Sequence, residues 1–412
     1  MSAGANAPLR FSVIVASRCR PDWLKRCLFG LRQQDYPDFE IVLVADPDSI
    51  GRVDTSHIKQ VPFDTPNLAE ARNIGIAHAA GEVCAFIDDD AVPEPLWLRH
   101  LSRAFETTSC TAVVGFVRGR NGISFQSRLC SVDEETETHD EVCRRDDPHV
   151  PELTKGRAVK LVGTNMAFRR SAFVGAGGFD ETFRFFLEDT DMSLRLASDG
   201  ARLAVAPLAQ VHHGFAPSSR RTRLRAPLDL FDIGRSTSFF LLKHRGGATD
   251  EFWLRLERRE QRRLVKHMLE GTCEPMDVAR RLQRLRAGWE EGARLTPKTP
   301  PAVNTDPPKF APCPILRGRH QVFASRWISR RASLIKQAKN AVAVGNRASV
   351  FSFSLTPFRH RVRYLDAGIW LQTGGVFGKS DRSDPAFRWC RYTKRLHREI
   401  TCVANLRGIG DN

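Results

Sequence analysis

The sequence lacks several patterns that would assign it to other protein classes. None of its ten cysteines forms a CxxC pair, so neither a zinc module nor a disulfide framework is expected, and reduced thiols in the cytoplasm are the simplest interpretation. It has no run of roughly eighteen apolar residues, as a spanning helix would need, and no apolar stretch at the start that would serve as a secretory signal. No GxGxxG follows an apolar run, which disfavours a Rossmann dehydrogenase.

What is present is the composition of a globular enzyme with an uneven distribution of charge. The 412 residues suffice for one large domain with appendages or for two domains, and 42% of them are hydrophobic and 27% charged. The net charge of +16 divides into −6 for residues 1–210 and +22 for residues 211–412. A basic surface of this size attracts a membrane face, a polyphosphate or nucleic acid, and charge alone does not choose among them.

Strand and helix patterns alternate through the first half of the chain. The β-rich apolar runs FSVIVAS, EIVLVAD and VCAFI are each followed by a helical or turn pattern. This alternation predicts an α/β fold, a mostly parallel sheet flanked by helices, in which ligands bind beyond the carboxyl ends of the strands. That rule places Arg18, Asp46 and Asp88–Asp90 along one rim of the sheet.

Composition divides the rest of the chain into segments. An acidic stretch at about 131–156 predicts a mobile loop or a solvated insertion within the α/β part, 1–216. Residues 217–295 predict a basic helical extension, and the Pro-rich residues 296–314 predict a linker. Residues 315–412 form a C-terminal segment of unknown role.

Three consecutive carboxylates, Asp88, Asp89 and Asp90, follow the apolar run Val83–Ile87. Adjacent acids at a strand end repel one another unless a cation or a group of donors neutralises them. Oxygen ligands of this kind suit Mg²⁺ or Mn²⁺, which in turn binds phosphate oxygens. A solvated acidic turn is the alternative interpretation.

A second acidic cluster, Glu188, Asp189 and Asp191, stands at the start of a predicted helix over Thr190–Ser198. Helix capping explains one acid, but three acids behind aromatic residues indicate a partly desolvated site, where a carboxylate with a raised pKa acts as a general base. The doublet at 212–213 follows at a strand edge. These histidines are either structural or supply an imidazole to the same cation.

The chain resembles family 2 glycosyltransferases, which have the GT-A fold. The resemblance covers about residues 11–216, half of the chain, and rests on five segments in family order. They include VIVASRCRPDWLKRC, EIVLVADPDS, NLAEARNIGIAHAAGEVCAFIDDDAVP and GTNMAFRRSAFVGAGGFDETFRFFLEDTDMSLRLASDG, and they end with LAQVHH.

The resemblance implies a role for each matching residue. Asp46 would bind the nucleotide base, Asp88 would meet the ribose, and Asp90 would hold a divalent ion, Mg²⁺ or Mn²⁺, on the diphosphate. Asp189 of the Glu188–Asp189 pair would deprotonate the acceptor hydroxyl. The other implied residues are Arg18, Arg72, Asn73 and Asp89 on the donor side, Gly163, Thr164 and Asn165 on the acceptor side, and His212 beside the metal.

The resemblance therefore implies an inverting, metal-dependent glycosyltransferase of cell-surface polysaccharide or glycoconjugate synthesis. It would take a nucleotide-sugar donor and a glycan or lipid-linked acceptor. It is expected in the cytoplasm, with peripheral contact to the inner face of an anionic membrane through residues 217–412. The turn ADPDS departs from the family's VDDGS, which leaves open which nucleotide base the donor carries.

Two alternatives remain. A nucleotidyltransferase acting on sugar phosphates would need a Gly-rich phosphate loop after the first strand, and SRCRPDWL has no glycine. A non-enzymatic, basic nucleic-acid-binding protein would fit the charge. It lacks a recognisable motif, so no nucleic-acid partner is expected.

Overall fold

The structure is a computed structural model that describes residues 7–303, 306–316 and 318–410. Its strands are β1 (Phe11–Ser17), β2 (Phe39–Ala45), β3 (Ile58–Pro62), β4 (Val83–Asp88), β5 (Ala91–Pro93), β6 (Ala112–Arg118), β7 (Phe125–Ser127), β8 (Cys130–Val132), β9 (Thr138–Asp140), β10 (Ala158–Val159), β11 (Met166–Arg169), β12 (Leu203–His213), β13 (His320–Ser325), β14 (Arg347–Ser354), β15 (Arg361–Leu365) and β16 (Ile369–Gly375).

The helices alternate with these strands in the first half and dominate the middle of the chain. They are α1 (Pro21–Arg32), α2 (Pro47–Gly51), α3 (Leu68–His78), α4 (Trp97–Thr108), α5 (Ala172–Ala176), α6 (Glu188–Ser198), α7 (Phe231–Arg245), α8 (Asp250–Leu269), α9 (Pro275–Ala293), α10 (Arg331–Ala343) and α11 (Tyr392–Arg407), with a 3₁₀ turn at Ile328–Arg330. Among the described residues, no helix has both the length and the apolar composition needed to cross a bilayer.

A nine-stranded sheet forms the centre of the fold. Its order is β3-β2-β1-β4-β11-β6-β12-β5, with β7 paired to β6. Six strands (β1, β2, β3, β4, β6 and β12) run in one direction, while β11, β5 and β7 oppose them. The predicted α/β class with a mostly parallel sheet is confirmed. Because β1 pairs with both β2 and β4, their carboxyl ends lie side by side at one rim.

Helices cover both faces of this sheet, which explains why its central strands are apolar without alternation. Helices α1 and α4 pack on one face through a cluster that includes Leu24, Leu28, Trp97 and Leu101. Helices α3, α6 and α7 pack on the other face. The central strands β1, β2, β4 and β6 are therefore buried along nearly their whole length.

The acidic stretch at 131–156 does not form an irregular loop throughout. β8 and β9 form a hairpin within it, and β10 pairs with β8 to complete a three-stranded sheet. At the tip of this hairpin, Glu135 forms ion pairs with Arg245 and Arg255 of the helical extension. Acidic residues here therefore neutralise part of the basic half of the chain.

The extension predicted from composition is helical, as expected. Helices α7, α8 and α9 share a small apolar core around Leu241, Leu264, Leu285 and Trp289. Helix α7 also contributes Phe239 to the core beneath the main sheet, so the extension is continuous with the α/β part.

The segment after the Pro-rich stretch forms a compact α/β module, which we call the C-terminal module (residues 320–407). Its sheet has the order β13-β14-β16-β15, with α10 on one face and α11 on the other. The end of the Pro-rich stretch lies against the main sheet. Cys313 is buried there and its amide donates to the carbonyl of Phe39 at 2.8 Å.

The C-terminal module packs tightly against the main sheet. Val362, Tyr364 and Trp370 form a buried cluster with Val92 of β5. Gly122 lies at this contact with φ of +67°, and a Cβ there would come within 2.5 Å of the Val362 carbonyl oxygen. Close backbone approach therefore requires glycine at this position.

Candidate active site

The three consecutive carboxylates lie at the carboxyl end of β4, and Asp89 is the most deeply buried of them. Its Oδ2 accepts a 2.6 Å hydrogen bond from Ser17 Oγ, and its Oδ1 lies 2.6 Å from Nη2 of Arg20. Burial raises the pKa of Asp89 to about 7, while the Arg20 guanidinium acts to lower it. Asp89 thus holds Arg20 against the end of β1 and has no exposed surface to offer a ligand.

Asp90 points toward the end of β12 and the loop that follows. Its Oδ1 lies 3.0 Å from Nε2 of His213, and its Oδ2 accepts a 2.6 Å hydrogen bond from the amide of Ala216. Nη2 of Arg221 lies 3.3 Å from the same Oδ2. Burial would raise the pKa of Asp90, but His213 and Arg20 hold it well below its usual range. Asp90 is therefore a carboxylate at neutral pH.

Asp88, Asp90 and His213 form a candidate site for a divalent ion. One ligand atom from each residue lies within 4.8 Å of the other two. Nδ1 of His213 lies 2.8 Å from Oε1 of Gln126, an acceptor, and this contact orients the ring with Nε2 toward Asp90. Two carboxylates and one oriented imidazole fit a divalent metal ion.

The neighbouring histidine, His212, has a different role from the one its position in the sequence implied. Its Nε2 lies 2.8 Å from Oε1 of the fully buried Glu94, and its ring packs on Trp370 at a centroid distance of 4.7 Å. Alternate residues of a strand face opposite sides, so His212 and His213 cannot both face Asp90. The structure places His213, not His212, at the carboxylates.

Arg72 connects the two acidic clusters that the sequence separates by about a hundred residues. Its Nη1 donates to Oε1 of Glu188 at 2.8 Å, and its Nη2 lies 3.7 Å from Oδ1 of Asp88. Burial raises the pKa of Glu188 to about 7, against the opposing effect of Arg72. Helix α6 begins at Glu188, two residues before the predicted start, so both acids of the pair lie in its first turn.

Asp189 lies beside this pair in the first turn of α6 and faces the segment that follows β10. Its Oδ2 accepts a 2.9 Å hydrogen bond from the amide of Gly163. The next residue, Thr164, donates through Oγ1 to Oδ2 of Asp88. Two adjacent residues thus hold one acid from each cluster, which fixes Asp189 and Asp88 close together across a short segment of backbone.

Two predicted site residues have supporting roles. Asn73 is fixed by Phe179, whose carbonyl and amide it binds, and by Glu181. Asn165 is fully buried, where it accepts from Nε1 of Trp97 at 2.8 Å and donates to two backbone carbonyls. Both asparagines shape the surrounding backbone and have no free amide group to bind a ligand.

A cavity of about 650 Å³ lies over the carboxyl ends of β1, β2 and β4. Arg18, half-exposed and bonded to Asp64, stands on its wall with Asp88, Asp90 and His213. Asp46 lies just beneath, where its Oδ2 accepts from the amide of Cys19 at 2.7 Å. We call this the donor-side cavity.

A second cavity of about 680 Å³ meets the first at Asp90 and His213. One wall comes from Trp23 of α1, and the opposite wall is strand β15 of the C-terminal module. Arg223 and Arg363 line this space and are exposed. We call it the module-side cavity, because it exists only where the C-terminal module meets the main sheet.

Sequence reasoning missed Arg20, Gln126 and Arg221. Arg20 follows β1 by three residues, so the rim rule that selected Arg18 could have found it. Gln126 and Arg221 come from an edge strand and a loop, where no periodicity indicates a site. Only the folded chain brings them to Asp90 and His213.

Comparison with known proteins finds similarity over the first part of the chain. The family model described as Glycosyl transferase family 2 matches residues 12–175, which confirms the resemblance inferred from the motifs. The pre-mycofactocin glycosyltransferase of Mycobacterium tuberculosis is 30% identical over 222 residues, covering 52% of this chain and 43% of that protein. The succinoglycan biosynthesis protein ExoM of Rhizobium meliloti is 28% identical over 224 residues, covering 50% and 67%.

The match is therefore to part of each protein. The chain spans less than half the length of the mycobacterial relative, and its own second half lies outside the match. Among solved structures, the mannosyltransferase PcManGT from Pyrobaculum calidifontis, in complex with GDP-Man and Mn²⁺, aligns with a TM-score of 0.41 and 17% identity. That alignment covers 70% of this chain and 88% of the other.

Proposed function

We propose that this chain, which carries a glycosyl transferase family 2 domain over residues 12–175, transfers a sugar from a nucleoside-diphosphate donor to an acceptor hydroxyl. The observation that carries the proposal is that Asp88, Asp90 and His213, which line the donor-side cavity, lie close to Asp189, because the adjacent Gly163 and Thr164 bind Asp189 and Asp88. A phosphate-neutralising group and a base are the two requirements of this reaction.

On the donor side, the nucleotide occupies the donor-side cavity, with its base toward Asp46 and Arg18. Its diphosphate lies at Asp88, Asp90 and His213, with Arg20 and Arg221 nearby. A divalent ion held there would neutralise the departing phosphate oxygens as a Lewis acid. An imidazole among the ligands favours Mn²⁺ over Mg²⁺, because Mg²⁺ prefers an all-oxygen shell.

On the acceptor side, Asp189 removes the proton from the attacking hydroxyl. The new bond forms between that oxygen and the anomeric carbon as the bond from this carbon to the phosphate oxygen breaks. Direct attack with a single base inverts the anomeric centre. The Gly163 amide orients Asp189, and Glu188, protonated or paired with Arg72, limits the negative charge beside it.

The acceptor binds in the module-side cavity and reaches the reacting centre past His213. The exposed guanidinium groups of Arg223 and Arg363 in this cavity suit an acceptor that carries phosphate. A glycan or lipid-linked sugar phosphate fits this description. The family match in polysaccharide-type relatives favours transfer over the nucleotidyltransferase and nucleic-acid-binding alternatives.

Calorimetric titration of a panel of nucleotide sugars, with Mn²⁺ and again with EDTA, tests the donor side. We expect one donor to bind in a metal-dependent way. The Asp189→Asn variant should keep the affinity for that donor within a few-fold while transfer is lost, because the amide cannot accept the proton. Near-normal turnover in this variant would refute the assignment of the base. The absence of any metal-dependent donor would refute the proposed function itself.

A further inference from the structure

The C-terminal module exposes large apolar side chains at one edge. Strands β13, β14 and β16 are parallel, so the segments that follow them emerge at the same edge. Six large apolar side chains on these segments are between 50% and 77% exposed: Trp327, Ile328, Leu355, Phe358, Phe387 and Trp389. An exposed apolar surface that is this concentrated marks an interaction site.

Contacts within the module hold these segments together. Phe377, which follows β16, stacks on Trp389 at a centroid distance of 5.0 Å and packs against Phe387 at 5.6 Å. The carbonyl of Phe358 accepts a 2.8 Å hydrogen bond from the amide of Gly375 at the end of β16. Nε of Arg331 donates to Oγ of Ser352 near the end of β14. The exposed side chains therefore lie on ordered backbone.

Basic residues alternate with the apolar ones in three short sequences at this edge. The sequences RWISRR (326–331), LTPFR (355–359) and FRWCR (387–391) contain six arginines and no Asp or Glu. Within the described part of the chain, Arg326, Arg330 and Arg388 have exposed side chains without an ion-pair partner. Aromatic and aliphatic groups interleaved with unpaired arginines match the interface of an anionic bilayer.

A small basic cavity of about 290 Å³ adjoins this edge. Trp389 and Arg388 form part of its wall, with Lys379 and Lys394. Its one described acid, Asp384, is engaged by Arg398 at 3.1 Å. The cavity has the charge to accept a single phosphate group beside an inserted tryptophan, as a phospholipid headgroup would provide.

We propose that the carboxyl edge of the C-terminal module docks on an anionic phospholipid membrane. Trp327, Trp389 and their apolar neighbours enter the headgroup region, and the surrounding arginines bind lipid phosphates. This inference does not depend on the sugar chemistry. It also orients the module-side cavity relative to the membrane, because β15 begins near this edge and continues along that cavity.

Vesicle sedimentation of the full chain tests the proposal. We expect binding to vesicles of phosphatidylglycerol and phosphatidylcholine in equal amounts, little binding to phosphatidylcholine alone, and weakening by salt. The double variant Arg326→Gln/Arg388→Gln should bind about thirtyfold more weakly, because each basic residue at an anionic surface contributes about 1 kcal/mol. Trp327→Ala/Trp389→Ala should also weaken binding at high salt, where charge is screened.

Matched controls lie on α8, far along the chain from this edge. Arg258→Gln/Arg262→Gln removes two exposed arginines from the same basic half, and it should leave vesicle binding unchanged. Equal losses in both arginine pairs would overturn the proposal in favour of a diffuse charge effect. Binding of glycerol 1-phosphate or of nucleic acid without vesicle binding would overturn it as well. Retained donor binding in every variant separates this test from that of the proposed function.

Discussion

Arg407 joins the C-terminal module to the main sheet, and replacing it tests how much this contact contributes to stability. Its guanidinium is fully buried and donates two hydrogen bonds to the equally buried Glu94, at 2.8 and 3.0 Å. It also donates to Ser349 at 3.0 Å and lies 4.5 Å from the ring centroid of Trp370. Glu94 in turn bonds His212.

Arg407→Ala would leave the Glu94 carboxylate buried with only His212 as a partner. Removing one member of a buried ion pair costs about 3–5 kcal/mol, a large share of the roughly 5–15 kcal/mol that stabilises a typical domain. We expect a loss of this size in the free energy of unfolding, measured by urea denaturation. Arg398→Ala, on the same helix and paired to Asp384 at a partly exposed site, should cost less than about 1 kcal/mol.

The pH dependence gives a second test. Burial would raise the pKa of Glu94, but Arg407 and His212 hold it well below its usual range. A depressed pKa stabilises the folded state above the unfolded value of about 4.3, and this contribution is lost as the pH falls through the folded value. The stability difference between wild type and Arg407→Ala should therefore be largest above that pH and shrink in acid. A difference that grows on acidification, or one no larger than that of Arg398→Ala, would refute the reasoning.

Three further predictions concern the cavities and the module contact. His213→Ala should weaken nucleotide binding in Mn²⁺ by about tenfold or more and leave binding in EDTA unchanged. In His212→Ala, nucleotide binding should depend on metal as it does in the wild type. The reverse pattern would favour His212 as the metal ligand. In steady-state kinetics, Arg363→Ala should raise the acceptor KM by roughly tenfold. The control is Arg361→Ala, which removes another exposed arginine of β15 that does not line the cavity and should leave this KM unchanged. Gly122→Ala should lower stability by about 1–3 kcal/mol in thermal unfolding, because φ is positive and the Val362 carbonyl leaves no space.

Local sequence patterns predict the position of some site residues, and long-range packing decides the position of others. Asp88 to Asp90 were found because an apolar strand followed by acids is a local pattern, and the rim of a parallel sheet brings Asp46 to the same edge. The resemblance implies His212 beside the metal, whereas the structure places His213 at Asp90, because a shift of one residue along a strand moves a side chain to the other face of the sheet. The side chain of Asn73 binds the loop backbone at Phe179, and that of Asn165 binds the backbone of strands β6 and β12.

The sequence by itself determined the α/β class, the basic helical extension, the position of both acidic clusters and the family resemblance, because strand and helix periodicity and short motifs are local properties. Only the tertiary structure decided that Arg72, Gly163 and Thr164 bring the two clusters together. It also decided that the C-terminal module is fixed to the main sheet through Glu94 and Arg407, more than three hundred residues apart. Such contacts depend on long-range packing, because a buried ion pair forms only where the fold brings two distant segments together. No local sequence pattern indicates which segments these are.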